Sequence, residues 1–258
     1  MSAKTMGAHR WENLVRLANR VAIVTGGGRG IGRAICLAFA RVGAQVVTAA
    51  KTQSEVEQVA AEIRSLGPKA LAIATDVSDE RNVASMVNAT LGAFGRIDIL
   101  VNNAAINHPS CPVVELDPRD WDTIMAVNLR GTFLCCRAVL GKMIEQRSGK
   151  IINIASIGGR RGGAGRSAYR ASKAALLNFT ESLSDEVKRF GINVSAICPG
   201  GVETRMLREI FPERDPSTML TPQDIAAVAV FLASDDARAM HGAIVDVFGT
   251  STEIKISS

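Results

Sequence analysis

The chain has 258 residues, 47% of them hydrophobic and 21% charged, which suits one α/β domain with a full core and argues against disorder. A net charge of +5, no long run of Lys or Arg and only 4% aromatics give poor support to a nucleic-acid groove with stacking platforms. Five cysteines (Cys36, Cys111, Cys135, Cys136, Cys198) without a CxxC spacing, three scattered histidines, and neither a signal-like apolar core nor an uninterrupted membrane span point to reduced thiols, no metal site and a cytoplasmic protein.

Residues 1–19 read as a lead-in, in which WENLVRLANR forms a short helical or irregular piece before the first strand. Apolar β-rich runs then alternate with helical patterns to the end. VAIVT (21–25) precedes a helix near 30–42, QVVTAA (45–50) one near 54–66, and KALAIAT (69–75) one near 80–92. IDILVNN (97–103) precedes a long helix near 120–146, and KIINIAS (150–156) a helix over 167–190. INVSAIC (192–198) leads through a variable segment to a helix at 222–233, and AIVDVF (243–248) closes the series. Strands apolar on both faces and separated by helices imply a single-domain, doubly wound parallel sheet of about seven strands over residues 20–258.

The first strand runs into TGGGRGIG (25–32). Gly26, Gly30 and Gly32 lack a Cβ, so the backbone can turn tightly and approach a pyrophosphate, while the following helix offers free N–H groups and its positive dipole end. After a buried strand and before a helix, this is a dinucleotide-binding signature that also takes in Thr25, Arg29 and Ile31. At the end of the second strand Ala50 stands where a carboxylate would bind a ribose 2′-hydroxyl, and Lys51 follows. Lys51 and Arg29, with no acid in the run, favour a 2′-phosphate, hence NADP(H) over NAD(H).

Tyr169, the only tyrosine, is followed four residues later by Lys173, one helical turn away on the same face. An ammonium beside a phenol favours phenolate, so the pair reads as a proton donor and acceptor with the tyrosine pKa pulled down. Ser156, at the end of KIINIAS, is placed to hydrogen-bond the carbonyl oxygen that the tyrosine would protonate. Taken alone, the bland alternative is an exposed surface pair.

These motifs in this order resemble the short-chain dehydrogenase/reductase family, over about residues 20–249: TGGGRGIG, DV (76–77), NNAA (102–105), VN (127–128), Ser156, YRASK (169–173) and PGGVET (199–204). The chain is similar in particular to its 3-oxoacyl-(acyl-carrier-protein) reductase-like members. The resemblance implies that Asp76 and Val77 contact the adenine and that Asn103 and Ala104, with Ala105 beside them, line the cofactor. It implies that Asn128 holds a proton-relaying water, Ser156 positions substrate and Tyr169 is the general acid or base. Lys173 would hold the nicotinamide ribose and lower the tyrosine pKa. Pro199, Gly200, Val202 and Thr204 would face the nicotinamide. Two departures stand out: Ala105 where the family carries glycine, and Phe248 in place of a C-terminal glycine, which bears on subunit contacts.

Residues 200–221 fall where similar proteins carry a substrate lid, and Met206, Leu207, Ile210 and Phe211 would give it an apolar underside or pack a short helix onto the core. Arg160, Arg161, Arg166 and Arg170 crowd the loop before Tyr169; they would either attract an anionic substrate or, the favoured reading, make surface and subunit salt bridges. His108 reads as a solvated loop residue with a possible substrate contact. The helices at 120–146 and 167–190 resemble a family dimer interface, with Cys135, Cys136 and Leu140 facing either it or the core, and a homotetramer or dimer is expected. The expected function is interconversion of a ketone and a secondary alcohol. Its alternatives are a 3-oxoacyl-(acyl-carrier-protein) reductase and, from another class, a non-catalytic cofactor-sensing protein.

Overall fold

The computed structural model describes residues 16–249. Most of the expected lead-in and the tail from residue 250 lie outside the described residues; within them, residues 16–19 form a turn whose Leu17 is buried. Seven strands follow: β1 (Val21–Thr25), β2 (Gln45–Ala50), β3 (Ala70–Ala74), β4 (Ile99–Asn102), β5 (Gly149–Ile154), β6 (Ile192–Pro199) and β7 (Ile244–Val247). Eight α-helices alternate with them: α1 (Gly30–Arg41), α2 (Gln53–Ser65), α3 (Glu80–Phe94), α4 (Pro118–Met125), α5 (Gly131–Gln146), α6 (Ser167–Val187), α7 (Arg205–Ile210) and α8 (Pro222–Ala233).

The sheet is parallel throughout, in the order β3-β2-β1-β4-β5-β6-β7. Successive side chains of a strand point to opposite faces, and here both faces need apolar residues because helices cover both. In β1, Ala22 and Val24 enter the core under α1 and α8, whereas Ile23 enters the one under α3 and α5. The order reverses direction between β1 and β4, so a crevice opens at the carboxyl ends of these two strands.

Local signals set the helix ends. Asp79 caps α3 by accepting from Arg81 N and Asn82 N, and Gly95 ends it in the left-handed region at φ 72°. Thr221 and Asp224 form a capping box at α8, with Pro222 at its first position. The expected helix over 120–146 is instead two helices joined by a π-helical turn at Ala126–Arg130. By length and composition 118–146 would pass as a membrane span, yet it packs within this fold. The short helix α7 lies inside the segment expected to be a lid.

The amino end of the sheet is held by Asp98, only 2% exposed, which accepts from Val21 N at 2.9 Å and pairs with Arg96 at 2.7 Å and Arg20 at 3.7 Å. Asp98→Ala strands the Val21 N–H, so urea unfolding is expected to show a loss of about 1–3 kcal/mol. An unchanged midpoint would mean that solvent reaches this amide.

Candidate active site

At the crevice, the end of β1 is stitched to the end of β4. Thr25 Oγ1 donates to Val101 O and accepts from Asn103 N at 3.0 Å and Ala104 N at 3.1 Å. Asn103 Nδ2 donates to Thr25 O at 2.9 Å and Gly26 O at 3.1 Å. Asn103 and Ala104 thus hold the shape of the glycine turn. Gly26 adopts φ 64°, which favours glycine. A Cβ on Gly32 would run into the Gly26 carbonyl oxygen and stand 2.5 Å from Asn103 Nδ2. The first turn of α1 has no side-chain cap and no acidic residue, so its free N–H groups suit an anion such as a pyrophosphate. Ile31 and Ala105 flank these positions, each partly buried.

Beyond the turn the expected cations are not free. Lys51 Nζ pairs with Asp76 at 2.8 Å, and Arg29 lies 3.4 Å from Glu55. Burial pushes the Asp76 carboxyl up, but the Lys51 ammonium and hydrogen bonds from Ser78 outweigh it and hold it below the usual range. Glu55, on α2, packs beside Gly28, so an acid does stand at the glycine turn. It was missed because it comes from the next helix, not from the strand end. Val77 and Val202 are buried in the two cores, which leaves their backbones, not their side chains, to meet a cofactor.

Across the crevice lies α6. A buried polar chain sets its position: Asn102 Nδ2 donates to Asn153 Oδ1 at 2.9 Å, and Asn153 Nδ2 to Thr180 Oγ1 at 2.9 Å. Lys173, 3% exposed, donates from Nζ to Ile154 O at 2.8 Å. Ser156 and Tyr169 come together: a Cβ on Gly158 would lie 3.4 Å from Ser156 Oγ and 3.5 Å from Tyr169 Cε1. Ser156 Oγ also accepts from Gly158 N at 3.0 Å.

The electrostatics differ from expectation. Burial raises the Tyr169 pKa above its ordinary value, against the hydrogen bond with Ser156 and the charges of Arg166 and Arg170. The lowering expected from Lys173 is absent because its ammonium turns to the Ile154 carbonyl and stands 5.9 Å from the tyrosine ring centroid. Burial brings Lys173 itself down to about 8. Asn128 lies in the π-helical turn between α4 and α5. Its side chain is committed to protein, accepting from Ile106 N at 2.9 Å and donating to Ile106 O at 3.0 Å and Ser172 Oγ at 3.1 Å. The π-helical turn around it, a feature frequent at functional sites, had no sequence signal.

Pro199 ends β6, and Gly200 N donates to Val247 O at 2.8 Å. Thr204 caps α7, and its Cγ2 stands 3.3 Å from where a Cβ of Gly30 would lie, so the segment after β6 begins over the glycine turn. Met206, Leu207, Ile210 and Phe211 are half-buried. Among the four crowded arginines, Arg160 pairs with Asp246 at 2.8 Å, and Arg170 donates to the carbonyls of Arg161 and Gly162. Arg166 is 7% exposed and stacks on Phe211 at 4.4 Å. His108 is buried, not solvated: Nδ1 contacts Pro109 O and Nε2 has no partner. Cys135 and Cys136 face the core, not an outer surface, and all five thiols are free. No cluster of metal-ligating side chains occurs among the described residues.

Comparison with known proteins shows the family. Residues 20–215 match the family described as short chain dehydrogenase. The subunit BbsD of (2S)-[(R)-hydroxy(phenyl)methyl]succinyl-CoA dehydrogenase from Thauera aromatica is 39% identical over 90% of this chain and 96% of its own length. The crystal structure of 3-ketoacyl-(acyl-carrier-protein) reductase from Brucella melitensis complexed with NADH superposes with a TM-score of 0.86 at 34% identity, covering 91% of this chain and 99% of that one. A Beutenbergia cavernae structure with bound NADP gives a TM-score of 0.86 at 35% identity, covering 93% and 99%.

Proposed function

This chain belongs to the short-chain dehydrogenase/reductase family, and from that premise we propose that it is an NADP(H)-dependent enzyme interconverting a ketone and a secondary alcohol, with Tyr169 as general acid and base. Membership makes it an oxidoreductase acting on carbonyl or alcohol groups with a nicotinamide dinucleotide. The observation that carries the finer reading is the convergence of Ser156, Tyr169 and Lys173 at the carboxyl end of β5.

The residues present fit a dinucleotide: the uncapped start of α1 suits the pyrophosphate, and the turn leaves no room for a side chain at Gly32. Gly26, Gly30 and Gly32 would hold the phosphates, Asp76 and the Val77 backbone the adenine, Lys173 the nicotinamide ribose, and Pro199 to Thr204 the nicotinamide. When bound, that ring supplies or accepts the hydride. Ser156 orients the substrate oxygen through its hydroxyl. Tyr169 gives its proton to that oxygen in reduction and takes it back in oxidation. Its raised pKa keeps it protonated at neutral pH, ready for reduction. Asn128 ties the β4 loop to α6 and so fixes the site's walls.

NADP(H) is supported by Ala50 and by Lys51 and Arg29, whose side chains are 67% and 61% exposed. Exposed pairs are worth about 0–1 kcal/mol, so a 2′-phosphate can draw both cations from Asp76 and Glu55. Lys51→Ala is expected to weaken NADPH binding about tenfold and leave NADH nearly unchanged. Equal or tighter NADH binding by the wild-type protein would defeat the assignment.

The likeness to the Brucella protein favours a second reading, reduction of a 3-oxoacyl thioester, which a substrate panel followed by nicotinamide absorbance separates from reduction of free ketones. A cofactor sensor has less support, because Asn128, Ser156, Tyr169 and Lys173 are all retained. A homo-oligomer is supported by a shallow groove between α4–α5 and α6, lined by Met125, Leu129, Phe133 and Phe179, with Phe133 44% exposed. Phe248 instead packs inward against the Ala155 and Leu176 cluster. Free, mostly buried thiols fit the cytoplasm.

A further inference from the structure

Arg166 differs from the other arginines of its loop. It is buried, and its one hydrogen bond among the described residues runs from Nη1 to Asn107 Oδ1 at 3.3 Å. A guanidinium carries five N–H donors, so most of its capacity is unused. The Phe211 ring carries two such groups, with Arg166 at 4.4 Å and Arg214 at 4.5 Å from its centroid. Arg166, Arg170 and Arg214 form no ion pair among the described residues, whereas their neighbours Arg160, Arg205 and Arg208 each do. Burial and the like charges of Arg170 and Arg214 all press against the Arg166 charge.

An uncompensated guanidinium in a buried place is costly, and contact with an aromatic ring offsets only part of that cost. The missing counter-charge has a place to come from. Arg166 is the N-cap of α6, whose first turn has neither a side-chain cap nor an acidic residue, and Tyr169 lies one turn along the same helix. The charges of Arg166 and Arg170 are felt at the Tyr169 hydroxyl. The segments on either side are joined by Cys111 N donating to Gly165 O, and both contain a buried polar atom without a partner, His108 Nε2 and Ser167 Oγ. Planar, bidentate recognition of a carboxylate is the use to which a guanidinium is best suited.

Resting on the oxidoreductase reading above, we propose that Arg166, with Arg214 on the same Phe211 ring, binds a carboxylate of the substrate and holds its carbonyl at Tyr169, so that the substrates are oxo acids and hydroxy acids. Arg214 folds back on the start of its own segment, its Nη1 3.1 Å from where a Cβ of Gly201 would stand, which holds this end of the segment together.

The test uses the full chain with 3-oxo to 6-oxo acids and their methyl esters. The wild-type protein is expected to favour the best acid over its ester by about a hundredfold or more in kcat/KM, as sites built around a polar group do. In Arg166→Met that ratio falls at least about thirtyfold, Arg166→Lys restores part of it, and Arg214→Met, on the exposed lid, lowers it about tenfold. Equal use of acid and ester by the wild type, or an unchanged ratio in both Met variants, overturns the proposal. So does preference for an oxoacyl thioester without a free carboxylate. If no ketone is turned over, the oxidoreductase reading fails instead, and calorimetry with pentanoate against pentanamide decides the site. Binding of pentanoate alone, lost in Arg166→Met, sustains it; no binding overturns it.

Discussion

Tyr169→Phe is expected to lower turnover by about a hundredfold to ten-thousandfold while cofactor affinity stays nearly unchanged. The substitution keeps the ring and removes the one proton that the site can deliver at this point. Burial, outweighing Ser156, Arg166 and Arg170, holds the tyrosine protonated, so the wild-type reduction rate should show no ionisation of this group between about pH 6 and 8. The phenylalanine variant should show a uniformly low rate over that range. Ser156 remains to orient the substrate, so KM should change less than kcat. A variant with wild-type kcat would assign the proton to another donor, and the role given to α6 would then fail.

Gly32→Ala is expected to weaken cofactor binding by tenfold or more and to cost about 1–3 kcal/mol of stability. The added methyl meets the Gly26 carbonyl oxygen and Asn103 Nδ2, and both are already committed to each other. Backbone cannot swing aside as a flexible side chain can, so either α1 moves off the turn or the Asn103 bond breaks. Both changes spoil the free N–H groups that would hold the pyrophosphate. Gly162→Ala is the control. It has open space around it and should shift stability by less than about 0.5 kcal/mol. Titration with cofactor and urea unfolding of the two variants separate loss of the cradle from loss of the fold; equal behaviour of Gly32→Ala and wild type would show that the turn yields.

Much of the fold is legible from local pattern. β1, β2 and α8 fall on the residues expected, and the other strands shift at their ends by one or two. The glycine turn, Ser156, Tyr169 and Lys173 were found because their chemistry demands particular residue types at particular spacings. The π-helical turn around Asn128 has no local sequence signal, and the two hydrogen bonds that join Asn128 to Ile106 span twenty-two residues. Glu55 has no such signal either, and meets Arg29 from the next helix. Spacing gives the proximity of Lys173 to Tyr169 but not the direction in which a flexible side chain turns, and its ammonium meets the Ile154 carbonyl.

The sequence alone determined the order of strands and helices, the parallel sheet and the residues that could do chemistry, because hydrophobic period, glycine freedom and helical spacing act over a few residues. The tertiary structure alone decided which charges are spent and which remain. Arg160 finds Asp246 eighty-six residues away, Lys51 finds Asp76, and Arg166 is left buried against an aromatic ring. The physical reason is that a charge's energy depends on its distance from others and on how much water surrounds it, and folding sets both.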